Sequence, residues 1–166
     1  MATFHPKVVR VLFVCTGNIC RSPMAEAVFG HMVERAGVAN QIQGDSAGLI
    51  SLHAGEEPHS GTRRVLRERN IAYTHIARAI RLADFSRFDY IIALDRGHLA
   101  ELRDMARGSG ARLALLMDYA PDAGTPDVPD PYYNGRFDEV YRLIELGCRG
   151  LLAHIVQNEG LNVPPV

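Results

Sequence analysis

Cys15 is followed six positions later by Arg21, a thiol and a guanidinium at the two ends of the stretch Cys-Thr-Gly-Asn-Ile-Cys-Arg. Spacing alone says little. Three cysteines and 17 arginines (Lys7 is the single lysine among 18 basic residues) in 166 residues give roughly 0.3 such pairs by chance. The flanks carry the argument. Residues 8–14 read VVRVLFV, a nearly continuous apolar run suited to a strand buried on both faces. Ser22 and Pro23 have the types expected of a helix N-cap and first helical residue. Between them, Gly17 and Asn18 tolerate unusual backbone angles. A tight loop at a helix N-terminus gathers backbone N–H groups and the positive end of the helix dipole, which makes a cradle for an anion. Arg21 completes it with a planar fork that matches two phosphoryl oxygens. The same field favours a thiolate. An ordinary thiol, with a pKa of about 8.5, is only a few per cent ionised at pH 7, and helix N-termini and cations lower that value. Ser22 is placed to hydrogen-bond the sulfur. A charged sulfur beneath a bound phosphoryl group points to displacement at phosphorus.

Such a loop needs a frame. A second strand is expected at residues 42–47, ended by Gly48, a third at 90–94 and a fourth at 113–117. Helices are expected from Pro23 to a C-cap at Gly37, over 58–69, over 96–106 with Asp95 as cap, and over 136–157. Residues 118–135, rich in Pro, Asp and Gly, read as a long irregular loop of the kind that carries function. Strands alternating with helices predict an α/β fold: a single-domain, three-layer sandwich with a central four-stranded parallel sheet flanked by helices. Ligands on such sheets bind beyond the carboxyl ends of the strands, where Cys15 stands. Residues 1–157 are expected to form the domain and 158–166 a flexible tail.

The bulk properties set the outer limits. A chain with 47% hydrophobic and 22% charged residues can bury a real core. A formal net charge of -1 gives no electrostatic reason to bind nucleic acid or an anionic membrane. The cysteines Cys15, Cys20 and Cys148 are too few for a secreted disulfide scaffold. Met1 to Lys7 lacks a leader pattern, and no segment reads as a membrane span. A cytoplasmic, reduced protein is expected, monomeric or weakly oligomeric, with Cys148 in the core.

From residue 11 to residue 29 the chain reads VLFVCTGNICRSPMAEAVF, which resembles the signature of the low-molecular-weight protein tyrosine phosphatase family almost position for position. Further matches are Asp45-Ser46-Ala47, His75-Ile76-Ala77-Arg78, Asp84-Phe85, Phe88-Asp89-Tyr90-Ile91 and Asp130-Pro131-Tyr132-Tyr133, so the resemblance runs over residues 8–152. It implies Cys15 as nucleophile, Arg21 as transition-state clamp and Asp130 as general acid. It implies a phosphate-binding loop of Thr16, Gly17, Asn18, Ile19, Cys20 and Arg21, supported by Asn18, Ser22, Ser46 and His75. Tyr132 and Tyr133 match one wall of the substrate cleft and Leu52 the opposite wall. Cys20 stands where the family often carries a second cysteine, which implies a reversible Cys15–Cys20 disulfide that shields the nucleophile. The implied substrate is a phosphotyrosine protein or a small aryl phosphate, with no cofactor and no metal.

Three positions depart from the family pattern. Leu52 replaces a common aromatic, so stacking on an aryl group is lost there, and His59 replaces a usual aspartate. Thr16 replaces a bulky aliphatic, as in the related protein arginine phosphatases, where a hydroxyl suits a phosphoguanidinium. The pair Tyr132-Tyr133 keeps the tyrosine-specific form, which favours phosphotyrosine. Thioredoxin-coupled arsenate reductases share the fold and a loop beginning CTGN, but they need further cysteines on a mobile segment. Here only Cys148 lies beyond the loop.

Overall fold

The computed structural model describes residues 7–165. Residues 1–6 and 166, which include most of the segment read above for a leader, lie outside the described residues. Four parallel strands, β1 (Val9–Cys15), β2 (Ile42–Gly48), β3 (Tyr90–Ala93) and β4 (Arg112–Leu115), stand in the order β2-β1-β3-β4. The helices are α1 (Arg21–Arg35), α2 (Ser60–Glu68), α3 (Asp84–Arg87), α4 (Arg96–Met105), α5 (Pro131–Asn134) and α6 (Phe137–Asn158). The α/β sandwich read from the sequence is the fold observed.

The apolar run of β1 is continuous because both faces are covered, while alternation decides which side chain faces which layer. Val11, Phe13 and Cys15 belong to one core with α1 and α6, whereas Leu12 and Val14 pack with Phe85, Leu99 and Leu102 on the other side. From β1 the chain crosses to β2 on one flank and later returns to β3 on the other. The carboxyl ends of β1 and β3 therefore flank the point where winding reverses, the crevice where such sheets hold ligands. Cys15 ends β1, and Asp95 follows β3.

Two local expectations are corrected. Helix α1 begins at Arg21, with Cys20 at the cap position and no side chain capping it. Ser22 therefore lies inside the first turn, and its hydroxyl turns to the sulfur of Cys15 instead. Residues 118–135 are not wholly irregular. A 3-10 turn at Leu116–Tyr119, begun within the segment expected as strand, runs into them, and they contain a second at Pro121–Ala123 and the one-turn α5, for which Asp130 before Pro131 is the capping signal. Past α6, Leu161 packs against the core and Asn162 exchanges two hydrogen bonds with Gln41. Among the described residues no helix is long and apolar enough to cross a membrane.

Candidate active site

The loop between β1 and α1 is held by its carbonyl groups. The carbonyl of Cys15 accepts from Leu49 N, that of Thr16 from Ile50 N and that of Ile19 from His59 N, while Thr62 Oγ1 donates to the carbonyl of Cys20. The N–H groups of Thr16, Gly17, Asn18, Ile19 and Cys20 make no hydrogen bond among the described residues. Outward carbonyls bonded and amide donors left free is the arrangement an anion requires. Two glycine-type demands make it possible. Asn18 adopts a left-handed φ of 59°. Gly48, paired with Cys15 in the sheet, lies so close beneath the loop that a Cβ there would sit 2.8 Å from the Thr16 carbonyl oxygen and 3.0 Å from Asn18 N.

The Asn18 side chain is the hub below the loop, fully buried with every one of its polar valences used. Its amide nitrogen donates to Ser22 Oγ (2.8 Å) and Ser46 Oγ (3.0 Å). Its oxygen accepts from Arg78 N (3.1 Å) and lies 2.7 Å from His75 Nε2. Because Ser22 Oγ receives Asn18, its own proton is free for Cys15 Sγ at 2.9 Å, closer than the Ala47 carbonyl at 3.4 Å. The four support residues expected from the sequence, Asn18, Ser22, Ser46 and His75, thus meet in one chain of bonds ending on the sulfur.

That chain continues to groups the sequence did not single out. Ser46 Oγ donates to Glu26 Oε1 (2.7 Å), which also accepts from Tyr73 OH (2.9 Å). Burial, only partly opposed by those two bonds, raises the Glu26 carboxyl from 4.5 to about 7, and burial lowers His75 from the ordinary histidine value. Glu26 keeps its proton in the folded state over a range where the unfolded chain has released it. Its contribution to stability is full below pH 4.5 and is lost as pH rises through about 7. In thermal melts, the Tm of Glu26→Gln relative to the native protein is expected to rise with pH across that window, because His75 and His98, with lowered values, contribute alike to both proteins. A difference in Tm that stays constant or falls there would contradict the assignment.

Above the loop, Arg21 is buried and fixed from the β3 side and from the long loop. Its Nη1 donates to Asp95 Oδ2 (2.8 Å) and to the Val128 carbonyl (3.0 Å). Val128 N in turn bonds the Leu94 carbonyl at 2.9 Å, which pins the loop to the end of β3. Two residues on, Asp130 caps α5 by accepting Tyr132 N (3.0 Å), leaving its other oxygen 3.5 Å from Arg21 Nη2. The cleft over Cys15 is lined by loop residues, Arg21 and Asp130, with Ile50, Leu52, His53, Tyr132 and Tyr133 at its mouth. Leu52, Tyr132 and Tyr133 are exposed. Tyr132 leans edge-on against His59, which stacks on Phe137 and caps α2 through Gly61 N. His59 thus has a structural task in place of the usual aspartate. Cys15, Cys20 and Cys148 are free buried thiols, and burial raises Cys20 to about 12.

Comparison with known proteins decides what this arrangement belongs to. Residues 10–161 match the model for low molecular weight phosphotyrosine protein phosphatase. The chain belongs to that family. A low molecular weight protein-tyrosine-phosphatase of Bacillus subtilis, YfkJ, is 45% identical over 92% of this chain and 99% of its own length. A Streptomyces coelicolor protein of the same description is 47% identical over 88% of this chain and 93% of its own. The crystal structure of YfkJ superposes with a TM-score of 0.90, covering 95% of this chain and 100% of YfkJ at 44% identity. A Drosophila arginine phosphatase is also similar, with a TM-score of 0.82 and 36% identity over 87% of this chain and 96% of its own. The enzyme is therefore a phosphatase of phosphoproteins, a hydrolase.

Within this phosphatase, sequence reasoning missed Glu26, Tyr73 and Arg78 below the loop, His53 at the cleft mouth and His98 beside Arg21. Asp95 was legible only as the cap of α4, a role it performs by accepting His98 N at 2.8 Å. Its second role, holding Arg21, left no local signal.

Proposed function

We propose that the enzyme hydrolyses phosphotyrosine on protein substrates through a phosphocysteine intermediate. The observation that carries this reading is the loop whose amide donors are free while the carbonyls of Cys15, Thr16, Ile19 and Cys20 are bonded, with Cys15 at its floor and Asp130 above. The phosphoryl oxygens sit among those N–H groups and Arg21, which meet the charge of the transition state. Cys15 attacks phosphorus, forming an S–P bond as the P–O ester bond breaks. Asp130 gives its proton to the departing phenolate oxygen, then takes one from the water that cleaves the S–P bond and releases inorganic phosphate. Neutralisation by backbone and guanidinium makes a metal unnecessary. Cys20, a protonated thiol in the same loop, is the proposed partner of Cys15 under oxidation. A cytoplasmic, monomeric or weakly oligomeric enzyme fits these roles.

Thr16 raises the second reading, phosphoarginine. Its hydroxyl lies 2.9 Å from His98 Nε2 and is already engaged. With Tyr132 and Tyr133 forming an aromatic wall, phosphotyrosine is favoured. Values of kcat/KM on matched phosphotyrosine and phosphoarginine peptides test this, with at least about a tenfold preference for phosphotyrosine expected. A large preference the other way overturns it.

A further inference from the structure

His98 occupies the first turn of α4, is only 5% exposed, and has no part in the chemistry above. Its Nε2 lies 2.9 Å from Thr16 Oγ1 and 3.4 Å from Arg21 Nη2. A guanidinium can only donate, so Nε2 is the accepting nitrogen and the ring proton resides on Nδ1. The Thr16 hydroxyl then donates into the same lone pair. Nδ1 is buried and 3.3 Å from Asp95 Oδ1, out of line for a full hydrogen bond. The same carboxylate accepts His98 N through Oδ1 and Arg21 Nη1 through Oδ2. The charged groups facing the ring are Arg21 on α1, Asp95 at the start of α4, and Asp127 and Asp130 on the loop before α5. Burial and then Arg21 lower the ring's pKa to about 4 against the three carboxylates, so the acceptor form persists at neutral pH.

Asp95 and Val128 hold the Arg21 guanidinium through Nη1, which leaves a pivot about that nitrogen. At Nη2 the pivot is opposed by Asp130 at 3.5 Å, the residue that must turn to the leaving group, and by the buried ring of His98 at 3.4 Å, which has no other task. We infer that His98 is a positioning residue, whose neutral ring ties the Arg21 guanidinium and the Thr16 hydroxyl to one point and so sets the plane of the clamp before substrate arrives. The inference rests on the reading of Arg21 as the clamp. Donors already aligned cost no reorganisation during reaction, so their misalignment lowers turnover more than ground-state binding, which the loop N–H groups also supply.

Two variants and one spectrum test it. His98→Leu keeps volume and removes the acceptor, whereas His98→Gln returns an amide oxygen near the place of Nε2. On p-nitrophenyl phosphate, His98→Leu is expected to lower kcat about tenfold and weaken vanadate inhibition in parallel, with KM, phosphate inhibition and Tm little changed. His98→Gln is expected to recover most of kcat. Nitrogen NMR of the native enzyme is expected to show Nε2 unprotonated and Nδ1 protonated, which is readable even if the leucine variant does not fold. A leucine variant with native kcat, a glutamine variant as impaired as leucine, or the opposite tautomer each overturns the role of His98. Failure of the native protein to hydrolyse the aryl phosphate would instead overturn the reading of Arg21 and the loop.

Discussion

Cys15→Ser is expected to lower turnover by about 10⁴-fold or more, equivalent to about 5.5 kcal/mol of transition-state stabilisation, while inorganic phosphate still binds. The two effects separate because the loop divides the work. In the proposed mechanism, binding rests on the free N–H groups of Thr16 to Cys20 and on Arg21, none of which involves the side chain at position 15. A serine hydroxyl fits in the space of the thiol and can still meet Ser22 Oγ, which sits 2.9 Å from the sulfur. Attack, however, needs an ionised nucleophile. A hydroxyl beside no general base stays protonated at neutral pH, and the contact available to it, Ser22, is itself a hydroxyl. Steady-state hydrolysis of an aryl phosphate together with calorimetric titration of phosphate measures both halves. A serine variant turning over at the native rate would end the phosphocysteine mechanism.

Asp130→Asn should reduce kcat by about 10²–10³-fold on phosphotyrosine and far less on an ester with an acidic leaving group, such as p-nitrophenyl phosphate. Asparagine is as good an N-cap as aspartate, so α5 and the aromatic wall it carries stay in place through the bond to Tyr132 N. What disappears is the transferable proton. A leaving group that departs as a stable anion needs that proton little, and one that departs as phenolate needs it greatly. Removing a carboxylate 3.5 Å from Arg21 Nη2 also removes its repulsion of the incoming dianion, so phosphate inhibition is expected to tighten slightly. Equal losses on both esters would mean that Asp130 positions α5 rather than supplying a proton.

Those two residues were found in different ways. Cys15 and Arg21 lie on one strand–loop–helix unit, and local rules reach them: a strand buried on both faces, Gly17 and Asn18 tolerant of unusual backbone angles, and a helix expected to begin just past Arg21. Asp130 reads, by itself, as a turn aspartate before proline. Its catalytic reading came from resemblance, and its place above the loop depends on Val128 bonding both Leu94 and Arg21.

The failures were local too. Ser22 has the composition of a cap and Pro23 that of a first helical residue, yet the helix starts earlier, and of the two roles read for the Ser22 hydroxyl only the bond to the sulfur is made. Capping preference is a competition among nearby backbone donors, and here a side-chain partner from the preceding strand wins.

By itself, the sequence determined the alternation of strands and helices, the parallel sheet this implies, and the anion-binding turn at the end of β1, because each follows from periodicity or backbone geometry within about twenty residues. Tertiary structure alone decided that Asp95 and His98 after β3 would stand against Arg21, that Glu26 and Tyr73 would continue the chain of bonds from Asn18, and that Gly48 would leave room for the loop. The reason is physical: Asp95 and His98 meet Arg21 because β3 returns to one flank of β1, Gly48 and Ser46 reach the loop because β2 pairs on the other, and a contact between segments distant in sequence leaves no periodic trace in either of them.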